Sequence, residues 1–377
     1  MVKRRPGEIR DAILDVLSTS RDAMPVREIE REVIERVDST SPSSVRSYLR
    51  LNTPDLFFRP KRAFYMLKEQ AAFYSPDASH PEETDYPKFE FGHATLFHGD
   101  CFDWLRGRQA NSIHAVVTDP PYGLVEYSSE QQRKLRAGRG GVWRLPPSFD
   151  GARRSPVPRF TVLKSADLEA LHVFFSSWAR VLIPALVPGA SVVVASNPLV
   201  SYVVSGALSK AGLERRGEIV RLVMTMRGGD RPKAAHEDFP AISVMPRSMW
   251  EPWLVFRKPL EGRVQDNLRK WKTGGFRRPS PDKPFGDVIE SSPTGRQERS
   301  IAPHPTLKPQ AFLRQLVRAA LPLGEGVILD PFAGAGSTLA AAEAVGYESI
   351  GIEKDKDYFS LACSALPRLA ALCVKSG

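Results

Sequence analysis

The chain has 377 residues, an apolar content of 42% and a formal net charge of +10. This length suits two domains with a sizeable core, and the positive charge favours polyanionic partners because neutralised phosphates release their counterions. The three scattered cysteines exclude a disulfide framework and a structural zinc site, and the early return of charge near the N-terminus excludes a signal peptide. No apolar run approaches the roughly 18 residues of a membrane span. We expect a soluble, cytoplasmic protein.

Residues 7–70 read as a small α+β domain. Apolar residues at helical spacing predict a first helix, Pro25 begins a second, and the Ser41-Pro42 pair begins a third. Two short strands around a basic turn follow. Three helices and a hairpin resemble a winged helix-turn-helix, with Arg46 and Arg50 on the recognition helix and Lys61 and Arg62 on the wing. A unit that docks a protein partner instead of DNA is the alternative.

An α/β domain is predicted after this unit. The acidic, Pro-rich stretch 71–90 reads as a linker, and strands alternate with helices from Phe91 onward. Such alternation predicts a mostly parallel, Rossmann-like sheet over 91–377, with helices on both faces. Two irregular stretches rich in Gly, Pro and Arg, 124–160 and 259–303, interrupt the pattern.

The first segment that carries chemistry is TDPPYG at 118–123. A buried strand delivers Asp119, Pro120, Pro121 and Tyr122 at its carboxyl end, where open α/β sheets bind ligands. The prolines fix φ, so that an acid and an aromatic ring point into the cleft in a set geometry. A planar amino group hydrogen-bonded to Asp119 and to the Pro120 carbonyl would have its nitrogen held toward an electrophile.

The second such segment is GVILDPFAGAGST at 326–338. Its strand ends in Asp330, a glycine turn at 334–336 follows, and a helix begins with Ser337 and Thr338. Glycines let the backbone approach a ligand closely, and Glu353, which closes the next strand, suits a ribose diol. The GxGxxG pattern of dinucleotide enzymes is incomplete, which disfavours NAD(P) and FAD.

Together these segments resemble the amino-methylating DNA methyltransferases of the β group. TDPPYG matches the catalytic motif of that family and FAGAGS, at 332–337, its S-adenosylmethionine loop. HPTLKP, at 304–309, matches the motif that precedes the loop, and HGDCFDWL, at 98–105, a strand end that faces the adenine of the cofactor. The catalytic motif comes first, which is the permuted order of the β group. The resemblance spans roughly 91–365 and leaves the N-terminal unit out.

The resemblance implies transfer of a methyl group from S-adenosylmethionine to the N6 atom of an adenine flipped out of double-stranded DNA. Flipping is needed because the amino group is buried in the base stack. Asp119, Pro120, Pro121 and Tyr122 would form the catalytic motif. Cytosine N4 is the alternative target, since its planar amino group is similar. No cysteine follows a proline in the way that C5-cytosine enzymes require.

The resemblance also implies a set of cofactor-binding residues. Glycines and an aromatic would surround the methionine, Glu353 the ribose and Asp100 the adenine edge, while Asp119 and Asp330 would face cationic groups. The full set is Asp100, Cys101, Asp119, His304, Thr306, Lys308, Asp330, Phe332, Ala333, Gly334, Gly336, Ser337, Thr338 and Glu353. Structural roles are the alternatives for three of them: Asp330 as a turn cap, Cys101 as a packing residue, and His304 as a shaper of its loop.

DNA contacts are expected from the two irregular stretches. The insertion 124–160 mixes basic and aromatic residues, as binding of phosphates and bases requires, and the candidates there are Arg136, Arg139, Trp143, Arg144, Arg153 and Arg154. A solvated loop is the alternative reading. The region 259–303, with Arg277 and Arg278, is the usual place for target recognition in this family order. The polar stretch 226–240 is a further candidate for the DNA cleft.

The same residues discriminate between this function and two others. Methylation of RNA or of a protein glutamine is one, but the glutamine enzymes carry Asn in place of Asp119. A DNA-binding regulator with an inactive enzyme domain is another, and the intact Asp119, Tyr122, Gly334, Gly336 and Glu353 disfavour it. The family implies a prokaryotic protein that associates with the nucleoid when bound to DNA, with a cognate restriction endonuclease as a candidate partner.

Overall fold

The computed structural model describes residues 7–19, 23–37, 40–53, 56–59, 63–68, 86–121, 165–223, 232, 235, 237–244, 246, 248–304 and 306–374. The chain divides into two compact units, Met1–Glu82 and Glu83–Gly377. Within the described residues, no helix is long and apolar enough to cross a membrane.

The first unit contains the three predicted helices, Glu8–Thr19, Val26–Arg36 and Pro42–Leu51. Its strands β1 (Met24–Pro25), β2 (Phe57–Phe58) and β3 (Phe64–Leu67) form an antiparallel sheet in the order β1-β3-β2. Ser41 begins the third helix as predicted, because its hydroxyl accepts a hydrogen bond from the Ser44 amide at 3.3 Å. The shared core consists of Ile13, Val16, Leu17, Ile29, Val33, Val45, Leu49 and Phe57, with Met24 and Tyr65.

Arg46 of this unit is exposed but paired within the unit. Its Nη2 donates to Glu30 Oε2 at 3.1 Å and its Nε to the other carboxylate oxygen, so that the third helix is tied to the second. Arg50, one turn further on, is exposed. Lys61 and Arg62 lie outside the described residues. The winged-helix assignment and its DNA contacts stay predictions.

The second unit is built on a nine-stranded sheet in the order β10-β8-β9-β7-β6-β11-β12-β5-β4. The strands β9 and β4 run opposite to all the others in that sheet. The strands are β4 Lys88–Phe91, β5 Ala94–His98, β6 Ile113–Thr118, β7 Leu186–Ala195, β8 Glu214–Leu222, β9 Trp250–Arg257, β10 Val288–Glu290, β11 Val327–Asp330 and β12 Glu348–Glu353. The predicted α/β sheet is therefore confirmed, and it is mostly parallel.

Helices cover both faces of this sheet, because successive side chains of a strand point to opposite sides. In β6, Val116 packs into one core with Phe175 and Trp178, whereas Val117 packs into another with Phe312. The helices are Cys101–Arg106, Ser165–Ala185, Ser201–Lys210, Val264–Trp271, Arg296–Ile301, Gln310–Ala320, Ser337–Ala344 and Lys356–Ala370.

Most of the candidate catalytic and cofactor-binding residues lie at one edge of the sheet. Because β5, β6, β8, β11 and β12 are parallel to one another in this sheet, their carboxyl ends lie on the same side. The reversed strand β9 begins on that side, at Trp250, instead of ending there. We call this side the carboxyl edge and the opposite side the amino edge.

The predicted linker 71–90 extends a few residues too far along the chain. Lys88–Phe91 forms β4, which pairs antiparallel with β5 over its whole length, so that the second unit begins before Phe91. The reason is the alternation of the sequence KFEF, in which Phe89 and Phe91 pack on the core while Lys88 and Glu90 do not. The surrounding Pro-rich, acidic composition conceals this short edge strand in the sequence.

The stretch 259–303 is more regular than its composition suggests. It forms two helices, Val264–Trp271 and Arg296–Ile301, and the edge strand β10 between them. Buried Asn267 fixes the first helix, because its amide donates to the Pro188 carbonyl at 3.0 Å and to the Thr273 carbonyl at 2.8 Å. Since Pro188 lies near the start of β7, this helix packs at the amino edge.

Candidate active site

The catalytic motif lies where β6 reaches the carboxyl edge. Asp119 follows the last strand residue, Thr118, and is partly exposed, while Pro120 is buried and Pro121 is exposed. Proline fixes φ at both positions, which stiffens the turn directly after the acid. Tyr122, the last residue of the predicted motif, lies outside the described residues.

Lys308 joins this acid to a second one. Its Nζ lies 2.7 Å from Asp119 Oδ2 and 2.9 Å from Glu251 Oε1, and the three side chains are only 11%, 17% and 18% exposed. Burial lowers the pKa of Lys308, but the charges of Asp119 and Glu251 outweigh burial and raise the pKa above its ordinary value. Lys308 therefore carries its charge at neutral pH.

Arg221 holds the second acid from the other side. Its Nη1 lies 2.8 Å from Glu251 Oε2, and the Trp253 indole donates to the same oxygen at 3.3 Å. Burial raises the pKa of Glu251, but the charges and hydrogen bonds of Lys308 and Arg221 outweigh it and hold the pKa at about 2. Asp119, Lys308, Glu251 and Arg221 thus form a chain of alternating charges, which we call the charge chain.

Asp330 ends the neighbouring strand, β11. Its Oδ1 accepts a hydrogen bond from the Thr118 hydroxyl at 2.7 Å and from the Phe332 amide at 3.2 Å. Burial raises the pKa of Asp330 to about 6 despite these bonds. The carboxylate caps the turn after β11, as the structural alternative proposed, and it lines the same pocket as Asp119.

The glycine turn after Asp330 requires left-handed backbone. Gly334 has a φ of 52° and Gly336 a φ of 77°, and residues with a Cβ atom rarely adopt this backbone conformation. A Cβ atom on Gly334 would meet the His304 ring at 3.4 Å, and one on Gly336 would meet Ala362 at the same distance. The helix that begins at Ser337 follows directly, which leaves backbone amide groups directed at this edge.

Glu353, at the end of β12, is bound to this turn. Its Oε2 accepts a hydrogen bond from the Gly334 amide at 2.7 Å, and its Oε1 accepts one from the Asp355 amide at 2.7 Å. Burial raises the pKa of Glu353 in spite of these bonds. The acid and the glycine turn therefore form one continuous wall.

Asp100 lies at the next strand end along the edge. Its Oδ1 caps the following helix by accepting from the Phe102 amide at 2.8 Å, and Lys354 Nζ donates to its Oδ2 at 2.8 Å. Cys101 is buried in the core, and burial raises the pKa of its thiol. Packing is the role that these surroundings support for Cys101.

The loop that carries Lys308 also carries His304 and Thr306. The His304 ring lies 4.4 Å from the Tyr358 ring, edge to face, and its Nδ1 accepts from the Thr306 amide at 3.3 Å. Burial lowers the pKa of His304, so that the imidazole is neutral at pH 7. Glu298 fixes both sides of this loop, because its carboxylate accepts from the Gly295 amide at 2.9 Å and the Gln310 amide at 2.7 Å.

One pocket at the carboxyl edge brings most of the predicted groups together. Catalytic and cofactor candidates both line it, namely Asp119, His304, Thr306, Lys308, Asp330, Phe332, Ala333, Gly334, Ser337 and Thr338. Glu353 joins the wall through Gly334. An acid that can accept from an amino group therefore lies beside a glycine turn that admits a close ligand.

A family model described as DNA methylase matches residues 113–364, about two thirds of the chain. The chain belongs to this N6/N4 DNA methylase family. The type II methyltransferase M2.DpnII of Streptococcus pneumoniae is 25% identical over 277 residues, which cover 73% of this methylase and 90% of the relative. M.HindIII of Haemophilus influenzae is 23% identical, with 72% and 94% covered. The structure of M1.HpyAVI with S-adenosylmethionine covers 71% of this chain and 98% of its own at 16% identity, with a TM-score of 0.43.

Two predicted DNA contacts of the methylase, Arg277 and Arg278, lie at the amino edge of the sheet. Arg277 donates to the Tyr347 hydroxyl at 2.7 Å, and Tyr347 directly precedes β12, at the amino edge. The carbonyl of Arg278 accepts from Arg318 at 2.9 Å, near the end of the helix that leads into β11 at the same edge. These arginines tie the amino edge together, and the site that contains Asp119 lies at the other.

The predicted DNA contacts of the insertion 124–160 lie outside the described residues. They are Arg136, Arg139, Trp143, Arg144, Arg153 and Arg154. Conversely, sequence reasoning missed Arg221 and Glu251. The sequence gave no signal that singles them out, because the strand of Arg221 carries five charged residues and the strand of Glu251 carries two.

Proposed function

We propose that this methylase transfers a methyl group from S-adenosylmethionine to the exocyclic N6 of an adenine flipped out of double-stranded DNA. The observation that carries the proposal is the position of Asp119, which shares one pocket with the glycine turn at Gly334. Amino methylation needs a nitrogen held in line with the methyl group and no covalent bond to the enzyme. A rigid acid beside a cofactor turn supplies that geometry.

The residues at the carboxyl edge fit the cofactor. The positive φ of Gly334 and Gly336 opens the turn to a close ligand, and the Glu353 carboxylate suits a ribose diol. Asp100 stands at the strand end proposed for the adenine, and buried Asp330 offers negative charge to a cationic ligand. When bound, S-adenosylmethionine supplies a methyl group on a positively charged sulfur, and the C–S bond breaks as the N–C bond forms.

Asp119 and Pro120 orient the target nitrogen in this proposal. The Asp119 carboxylate and the Pro120 carbonyl each accept a hydrogen bond from the amino group, which turns its lone pair toward the methyl group. The methylated nitrogen then gives up one proton, for which the Asp119 carboxylate is the acceptor. Lys308 stays charged next to that carboxylate and holds its orientation.

Contacts to the target DNA belong at the carboxyl edge. The segment between β8 and β9 leaves the sheet at Val223 and returns at Trp250, both on that edge. It contains the polar stretch 226–240. This placement favours the segment over 259–286 for target recognition, because the latter packs at the amino edge.

The proposal predicts N6-methyladenine as the product. Duplex DNA is incubated with the purified chain and S-adenosylmethionine, and its nucleosides are analysed by mass spectrometry. Single-molecule sequencing of DNA from expressing cells then gives the recognition sequence. An adenine and a cytosine both present an amino group beside a ring nitrogen, so the preference depends on the pocket. Detection of N4-methylcytosine without N6-methyladenine would change the assigned target base to cytosine. The proposed mechanism of methyl transfer would still apply.

Removal of residues 1–75 is expected to leave a folded methylase with weaker DNA affinity. The first unit has its own core, and the family match lies entirely beyond it. If the lost contacts are to phosphates, the dependence of log affinity on log salt concentration should flatten as well. The measurement is a salt series of binding titrations with the full chain and the truncated chain. Equal affinity and equal slope would instead assign the first unit to a protein partner.

Membership of the same family supports a cytoplasmic setting. A DNA methylase related to type II methyltransferases acts where chromosomal DNA is, which in a prokaryotic cell is the cytoplasm. A cognate restriction endonuclease is the corresponding candidate partner. Deletion of this gene in the presence of such an endonuclease would be lethal, whereas an orphan methylase would be dispensable.

A further inference from the structure

The charge chain reaches well beyond the residues that a base or a methyl donor would contact. Asp119 faces the pocket, whereas Glu251 lies behind Lys308 and Arg221 lies behind Glu251. We propose that Glu251 is a positioning residue for methyl transfer, which holds the Lys308 ammonium against Asp119 and is itself held by Arg221. This inference rests on the proposed function, in which Asp119 receives the target amino group.

Arg221 is fixed by several contacts that leave it little freedom. Its Nε donates to the Ser291 hydroxyl at 3.0 Å and its Nη2 to the Ser292 carbonyl at 3.0 Å. Its guanidinium also lies 5.1 Å from the centre of the Phe312 ring. Because Arg221 is only 6% exposed, its position is set by packing, and it offers Glu251 a stationary partner.

Charge balance makes Glu251 necessary for the orientation of Lys308. Lys308 and Arg221 are both cations, and they face the two anions Glu251 and Asp119 in strict alternation. Without the Glu251 charge, two cations would face Asp119 alone across a poorly solvated region, and they would repel each other. Among the described residues, the other titratable groups near the charge chain are His304, whose pKa burial lowers, and Asp330, which is buried next to Thr118.

A purely structural role for Glu251 is the competing explanation, and the same two strands offer a control for it. Glu251 and Arg221 are direct partners across β8 and β9, and so are Glu214 and Arg257. The second pair is bonded at 2.6 Å, and Arg257 is only 12% exposed. It lies six register pairs away, toward the amino edge, at a distance of roughly 20 Å.

The test compares three variants of the full chain under saturating cofactor and duplex DNA. Glu251→Gln should lower kcat about 30-fold or more, whereas Glu214→Gln should stay within about twofold of the wild type. Both should bind S-adenosylmethionine. Because Glu251→Gln leaves two buried cations with one anion, it should melt at a lower temperature, and the rates are compared well below that temperature. Glu251→Asp keeps the charge but is too short to reach Lys308 and Arg221 together, so an intermediate loss is expected.

The pH profile separates positioning from mere stability. Lys308 is charged below its pKa, and the loss of Glu251 lowers that pKa. Wild-type kcat should therefore stay level from about pH 7 to pH 10, whereas the Glu251→Gln rate should decline within that range. Glu251→Asp should keep the level profile.

Three outcomes would overturn the inference. One is a Glu251→Gln rate within twofold of the wild type, and another is an equal loss in Glu214→Gln. The third outcome is a wild-type rate in Glu251→Asp, which decides the matter if Glu251→Gln does not fold. A wild-type chain that transfers no methyl group to DNA would refute the proposed function itself, and this inference with it.

Discussion

Asp119→Ala is expected to lower kcat for methyl transfer at least about 1,000-fold, which is roughly 4 kcal/mol of transition-state stabilisation. Two losses add up in this variant. The target amino group loses its carboxylate acceptor, and Lys308 loses the partner 2.7 Å from its Nζ. The ammonium still pairs with Glu251 at 2.9 Å, but no anion separates its charge from the pocket, where it would repel a cationic sulfur. Quench-flow or steady-state methyl transfer at saturating DNA measures the effect.

Asp119→Asn separates shape from charge in the same experiment. The amide keeps the size of the side chain and one acceptor oxygen, so a smaller loss than in Asp119→Ala is expected. Asp103→Ala is the matched control, because Asp103 is an exposed carboxylate 63% open to solvent in the helix Cys101–Arg106. Retained turnover within about tenfold of the wild type in Asp119→Ala would refute the catalytic assignment.

Glu353→Ala should weaken S-adenosylmethionine binding about 100-fold, or roughly 2.7 kcal/mol. The side chain accepts hydrogen bonds from the amides of Gly334 and Asp355, and removing it leaves both donors without that acceptor. In the proposed complex the same carboxylate also binds the ribose. Calorimetric titration of the cofactor into the free enzyme measures the change.

Glu348 provides the control for this variant. It begins the same strand that Glu353 ends, it is exposed, and it lies at the amino edge. Glu348→Ala should therefore bind the cofactor with nearly wild-type affinity. A dissociation constant for Glu353→Ala within about threefold of the wild type would mean that the Glu353 carboxylate stabilises the glycine turn and does not bind the cofactor.

Local sequence signals predicted the parts of this site that lie at strand ends. Short apolar runs located β6, β11 and β12, and the chemistry of Asp119, Asp330 and Glu353 follows from their places directly after or at the end of those strands. The same reasoning gave the α/β architecture, because alternating strands and helices leave few other ways to bury both faces of a sheet.

The charge chain could not be predicted in the same way. Arg221, Glu251 and Lys308 lie on two strands and a loop, and their meeting depends on the reversal of β9 and on its register with β8. The resemblance assigned Lys308 to the cofactor, whereas its ammonium contacts Asp119. Neither the direction of an isolated apolar run nor its register is visible in its residues.

Composition could not predict at which edge of the sheet Arg277 and Arg278 lie. A segment rich in Arg, Lys and Trp has the composition of a DNA-binding loop, but these two arginines bond to Tyr347 and to the Pro281 carbonyl. The edge of the sheet on which a loop emerges decides whether it can reach the substrate. That edge is set by the strand topology, and the sequence pattern gives the number of strands more readily than their order.

The most direct test of the account is methyl transfer by the full chain from methyl-tritiated S-adenosylmethionine to unmethylated duplex DNA. The account predicts label that stays with the DNA, that depends on Asp119, and that appears in N6-methyladenine after digestion to nucleosides. If the chain binds the cofactor and the DNA yet no label reaches the DNA, or if label transfer continues in Asp119→Ala, the central claim is contradicted.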